Sequence, residues 1–148
     1  MKRRLTVTHQ FVNYVPERLD DGVLYVSIEY ATVVHRCLCG CGEEIVTPLT
    51  PTDWELSFDG ESISLAPSIG NWNLPCRSHY WIAKNRVRWA GRWSQSEIDQ
   101  GRRLDRAAKT THYGESNTLS LTREAEAAQI DNVSQPSWWR RLLGRRDA

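Results

Sequence analysis

The order of apolar and polar residues divides the chain near Ser94. Before it, short alternating or β-branched runs are separated by Pro and Gly pairs, which is a strand pattern. "LTVTHQF" (5–11) alternates in part and predicts a first strand. "NYVPERLDDG" (13–22) is a connection punctuated by Pro16 and Asp21-Gly22. "VLYVSIEYATVVHRC" (23–37) predicts one long strand or two, and "EEIVTPL" (43–49) another, closed by Pro48 and Pro51. "WELSF" and "ESISLAP" flank Asp59-Gly60, a hairpin signal. "SIGNWNLPC" (68–76) is loop-like, and "HYWIAKNRVRWA" (79–90) predicts a second hairpin turning at Lys84-Asn85. From Ser94 the period lengthens. Ser94 and Glu97 form a capping box, and Ile98, Leu104 and Ala108 share a face. A helix is expected from about 95 to 109, weakened by Gly101. The polar stretch after Tyr113 is a linker or loose helix around "LTREAEAAQ". The last motif, "SWWRRLLGRR" (137–146), is aromatic and basic.

The expected fold class is mainly β (α+β): a small zinc-stapled β-sheet domain over 1–93, an appended helix over 94–113, and a linker with a flexible amphipathic tail over 114–148. The tail can dock a partner or an anionic surface, or pack back on its own domain. A chain of 148 residues carries one proper core, and 40% hydrophobic content leaves part of it unpacked. A net charge of +1 gives no global field for nucleic acid or membrane, so no nucleic-acid partner is expected. No apolar run reaches the ~20 residues a bilayer demands, and the basic start lacks the apolar stretch of a secretory signal. A cytoplasmic location follows, where clustered thiols bind metal or act chemically.

The thiols are the main chemical feature. "CLCGCGEE" (37–44) places Cys37, Cys39 and Cys41 at alternate positions, and Cys76 stands three residues before His79. Structural zinc takes four thiolate or imidazole ligands, and here Cys37, Cys39, Cys41, Cys76 and His79 offer five, with His35 a weaker sixth. Gly40 and Gly42 allow the chain to fold tightly around an ion. Zinc is thus the expected cofactor, held by four of the five. If all four cysteines bind, His79 is left as a base. If His79 binds, a cysteine is left as a nucleophile or as a small buried hydrophobe. Acyl transfer requires a nucleophile, a base and an orienting carboxylate. Cys39, Ser78, His79 and Asp53 are the candidates, though not all together. Ser78 and His79 are adjacent, so on a strand they point to opposite faces. Asp53 also suits a turn. Glu43 and Glu44 would serve as acid or base only at a zinc with an open position, which so many protein ligands disfavour.

The pieces "CGCGE", "TPTDW", "SIGNWNLPC" and "SHYWI", within about residues 9–90, resemble a family of small bacterial zinc-binding-domain proteins. Members of that family are encoded beside ubiquitin-like modifiers and activating- and conjugating-enzyme-like proteins. The resemblance implies a role in such a pathway, linked to defence against phage. It points to a cysteine- or serine-type peptidase that trims or removes the modifier, resembling a deubiquitinase. The alternative is a non-catalytic zinc-stabilised adaptor that binds the modifier or the conjugating enzyme. A modifier's extended tail can add to an exposed sheet edge, and Trp54, Trp72, Trp81 and Trp89 line such a channel or fill the core.

Overall fold

The computed structural model describes the backbone of residues 2–133 and the side chains of residues 2–123. The 137–146 motif lies outside the described residues. Among the described residues, eight strands and one helix follow in order: β1 Thr8–Phe11, β2 Val23–Ser27, β3 Thr32–Arg36, β4 Glu44–Pro48, β5 Glu55–Phe58, β6 Ile63–Gly70, β7 His79–Ala83, β8 Arg86–Trp89 and α1 Gln95–Val133. The strands form two four-stranded sheets, β1-β2-β3-β4 and β5-β6-β7-β8, in which all neighbours are antiparallel except the parallel β1–β2 pair. The fold is therefore mainly β with a C-terminal helix, as the alternation predicts.

One core joins the sheets. Leu24, Val26, Val33 and Ile45 from the first meet Ile63, Leu65, Ile69, Tyr80, Ile82 and Val87 from the second. Burying each such side chain contributes about 1.5–3 kcal/mol. Between the sheets, fully buried His35 meets the Tyr80 hydroxyl at 2.9 Å through Nε2. Burial holds the His35 imidazole at about 3, far below its ordinary value, so it is neutral.

The 23–37 run divides into β2 and β3, and both expected hairpins form. Lys84 and Asn85 take the positive φ values (48° and 60°) of a two-residue turn. At the other turn, the Asp59 carboxylate accepts from the Glu61 and Ser62 amides and the Ser62 hydroxyl. These bonds hold its acid down to about 2. The segment expected to be a loop from 68 to 76 is strand as far as Gly70, because β6 continues past a bulge to pair Ile69 with Tyr80 and Gly70 with His79.

The capping box forms reciprocally. The Ser94 amide donates to the Glu97 carboxylate at 2.7 Å, and the Glu97 amide to the Ser94 hydroxyl at 3.3 Å. The helix then runs to Val133, well past the expected end near 109, since Gly101 costs only about 1 kcal/mol. The chain divides into two compact units, Met1–Arg103 and Leu104–Ala148. Ile98, almost fully buried, belongs to the first.

Candidate active site and metal centre

The β3–β4 turn brings three thiols to one point. Gly40 and Gly42 adopt φ of 86° and 88°, which lets the backbone reverse twice in five residues. The loop between β6 and β7 adds the fourth thiol. The sulfur atoms of Cys37, Cys39, Cys41 and Cys76 all lie within 4.8 Å of one another. Cys37 Sγ is 3.4 Å from Cys39 Sγ and 3.9 Å from Cys76 Sγ. A zinc ion with Zn–S near 2.3 Å at the centre of a tetrahedron sets sulfur atoms about 3.8 Å apart. The cluster thus has the donor set and the spacing to hold a metal ion. Burial pushes the Cys37 and Cys39 thiols up, and a coordinated cation reverses this by taking thiolates.

Ser78 belongs to this cluster and not to His79. Its buried hydroxyl lies 3.1 Å from Cys37 Sγ and 3.5 Å from Cys76 Sγ, and it accepts from Asn71 Nδ2 at 2.8 Å. The Asn71 amide also donates to the Ser78 carbonyl at 2.8 Å. The end of β6 is therefore tied to the start of β7 beside the thiols.

His79 points the other way. Tyr80 and Ile82 face the core, so strand alternation puts His79 and Trp81 on the outer face. There His79 Nε2 is 2.8 Å from the Ser68 hydroxyl, contributed by β6. Trp93, Trp72 and Trp81 surround the imidazole with ring centroids 4.7, 4.9 and 5.1 Å away. Their cover leaves His79 4% exposed despite its outward strand position, and that burial pushes its pKa below the ordinary imidazole value. Trp72 also lies against Gly70, where any Cβ would collide with its indole. His79 Nδ1 is buried and has no hydrogen-bond partner among the described residues. Asp53 does not orient it: its carboxylate accepts from the Thr50 hydroxyl at 2.5 Å within the 50–53 turn. Cys39 lies among the thiols, away from this pair.

Ser68 and His79 are a hydroxyl and an imidazole within hydrogen-bond reach, an arrangement that can activate a hydroxyl for attack on a carbonyl. A family model described as Bacterial ubiquitination-like system serine protease (BubE) matches residues 11–90, more than half of the chain. The chain belongs to this family. No curated protein and no solved structure is significantly similar to it.

The family's matched span contains Ser68, His79 and all four cysteines. Reading 68–76 as a loop hid Ser68, because a loop residue has no register. Extending the "ESISLAP" strand by three residues and pairing it with the 79–83 strand would have set Ser68 beside His79. The aromatic cover was partly anticipated. Trp72 and Trp81 stand at the site, whereas Trp54 and Trp89 pack on the core and Trp93 was not foreseen.

Proposed function

We propose that the chain is a serine peptidase that processes or removes the modifier of its ubiquitination-like system, with Ser68 as nucleophile and His79 as general base. The single observation that carries this reading is the 2.8 Å approach of Ser68 Oγ to His79 Nε2 on the outer face of the second sheet. In the tautomer with a proton on Nδ1, Nε2 takes the Ser68 proton as Oγ bonds to the scissile carbonyl carbon. The imidazolium then returns that proton to the departing amine, and water repeats the cycle on the acyl-Ser68 ester. The partner this reading assigns is the modifier, with or without the conjugating-enzyme-like protein.

We assign the metal as zinc on Cys37, Cys39, Cys41 and Cys76, a fully thiolate set whose role is structural. Four protein ligands leave no open position for substrate. The ion cross-links the β3–β4 turn to the strand ends that hold Ser68 and His79. A reducing cytosol, where four free thiols persist, is the matching compartment. No helix among the described residues is long and apolar enough to cross a membrane.

The test is incubation with the system's modifier carrying a C-terminal extension, read by mass spectrometry, together with labelling by a fluorophosphonate. The intact protein shortens the modifier and labels at Ser68. Ser68→Ala and His79→Ala each lower kcat/KM roughly a thousandfold or more with the fold intact. Full turnover by Ser68→Ala would sink the assignment. The adaptor reading draws support from the exposed rings of Phe11 and Phe58, 5.1 Å apart. It is favoured if the protein binds the modifier but never cleaves it.

A further inference from the structure

β6 outlasts its neighbour β5. The β5–β6 ladder ends at the Glu55–Ala66 pair, so among the described residues Pro67–Gly70 has β7 on one side and no strand on the other. The directions of the backbone groups there follow from the ladder. The Ala90 amide donates to the His79 carbonyl at 2.9 Å, so His79 faces β8 and, by alternation, Tyr80 faces β6. Tyr80 stands opposite Ile69, so the Ile69 N–H and C=O turn toward β7. The Asn71 N–H turns the same way, to Ser78. A trans peptide points its C=O and N–H in opposite directions. The Ser68 C=O, the Gly70 N–H and the Gly70 C=O therefore face the open side. No hydrogen bond outside the ladders engages these groups among the described residues.

A cleft of about 600 Å³ adjoins this strip. Ala66 and Pro67 of β6 line it together with the apolar side chains of Ile28, Leu49, Trp54 and Leu56. Ile28 is 65% exposed, an aliphatic side chain turned to solvent. The acidic groups of Asp53 and Glu55 flank the cleft and disfavour an acidic occupant. Pro67 immediately precedes Ser68, so their Cα atoms are about 3.8 Å apart. An extended chain advances about 3.3 Å per residue. A side chain in the cleft therefore belongs to a residue within about three positions of a carbonyl held at Ser68 Oγ.

We infer that the strip and the cleft together bind an extended peptide substrate. Its backbone adds to β6 at Ser68–Gly70 in the place that β5 leaves open, and a large aliphatic side chain near the scissile bond enters the cleft. The acceptor–donor–acceptor order of the strip is a strand's own, and most of the side chains that line the cleft are apolar, with Thr50, Asp53 and Glu55 the polar ones. The inference rests on the peptidase reading only in using Ser68 to set the register.

Binding is measured apart from turnover, on the full chain carrying Ser68→Ala. The probes are short synthetic peptides of glycine and serine that contain one leucine, one lysine or one glutamate. Fluorescence anisotropy gives Kd, and NMR amide exchange follows the Gly70 N–H. The leucine peptide is expected to bind about tenfold or more tighter than the other two, to slow Gly70 exchange, and to weaken when its backbone is N-methylated beside the leucine. Adding Ile28→Glu, at an exposed position the fold does not depend on, shifts the preference to lysine. Equal binding of the three peptides, an unmoved Gly70 amide, or no binding of the leucine peptide at millimolar concentration overturns the inference. Wild-type cleavage is scored separately. Cleavage without leucine preference sinks this site and leaves the peptidase reading standing. Selective, Gly70-protecting binding of a peptide that the wild type never cleaves does the reverse.

Discussion

His79 stands on the outward side of its strand and is nevertheless buried, because Trp72, Trp81 and Trp93 close over it. The consequence is chemical. Desolvation disfavours the imidazolium, so the folded-state pKa lies below the ordinary value of about 6.5. A base must be neutral to accept a proton, so kcat/KM should rise with pH through an inflection below that value and stay flat above it. Activity is lost as pH falls through the folded pKa, not as pH rises. Trp93→Ala removes one wall, and it should move the inflection upward toward the ordinary imidazole value while leaving Ser68 and His79 in place. A pH profile of kcat/KM for the two proteins checks this, and an inflection that does not move would separate the indole cover from the base's titration. The histidine was readable in the sequence as a group of dual use, ligand or base. Its true neighbour was not, since the nearest serine in sequence, Ser78, points to the opposite face and bonds to the thiol cluster. Proximity along a strand and proximity across a sheet are different quantities, and only the second needs register.

At the scale of elements, the thiol turn and the β6–β7 junction behave as one unit. Glycine spacing and alternate cysteines made the turn legible, because few other requirements put three thiols and two positive-φ residues within six positions. What the spacing left open was which four of Cys37, Cys39, Cys41, Cys76 and His79 would hold an ion, and the placement of Cys76 among the sulfurs and of His79 against Ser68 follows from the two-faced strand start at Ser78–His79. The Asn71–Ser78 bonds carry the link from the thiols to the strand that presents Ser68. On the proposed function, removing the zinc ion should therefore loosen Ser68 and His79, the proposed catalytic pair, without touching them. Treatment with a strong chelator is expected to lower the Tm by many degrees and abolish cleavage, and zinc re-addition should restore both. A chelated protein with unchanged Tm and unchanged turnover would mean the sulfurs hold no structural metal. Cys41→Ser should mimic chelation, since loss of one thiolate typically weakens a four-ligand site severely.

For the whole molecule, the strand pattern pointed to a mainly β fold and the capping box to where the helix begins, but neither set where the compact unit ends. The change of hydrophobic period at Ser94 marks a change of element, whereas packing follows burial, and burial continues past it. Ile98 is 1% exposed and Trp93 covers His79, so the first turn of α1 is part of the β-rich unit that ends at Arg103. Beyond it, Leu104, Leu119 and Leu121 are each at least 60% exposed, so the described part of the later helix contributes little apolar burial. Two truncations test this division. A chain ending at Arg103 retains every residue of the main core and the cover over His79. It should keep its Tm within a few degrees and its peptide-cleaving activity within about twofold, because substitutions away from buried groups change stability by roughly half a kcal/mol or less. A chain ending at Gly91 loses Trp93, the Ser94–Glu97 cap and Ile98 together. The cap contributes about 1 kcal/mol and a buried isoleucine about 2–5 kcal/mol. The shorter chain should unfold at markedly lower denaturant and lose most of its activity. Thermal unfolding and turnover of a small peptide substrate, measured on both, decide the matter. Equal stability of the two truncations would show that the helix start is an appendage of the sheets, while collapse of the longer one would place residues after Arg103 within the folding unit.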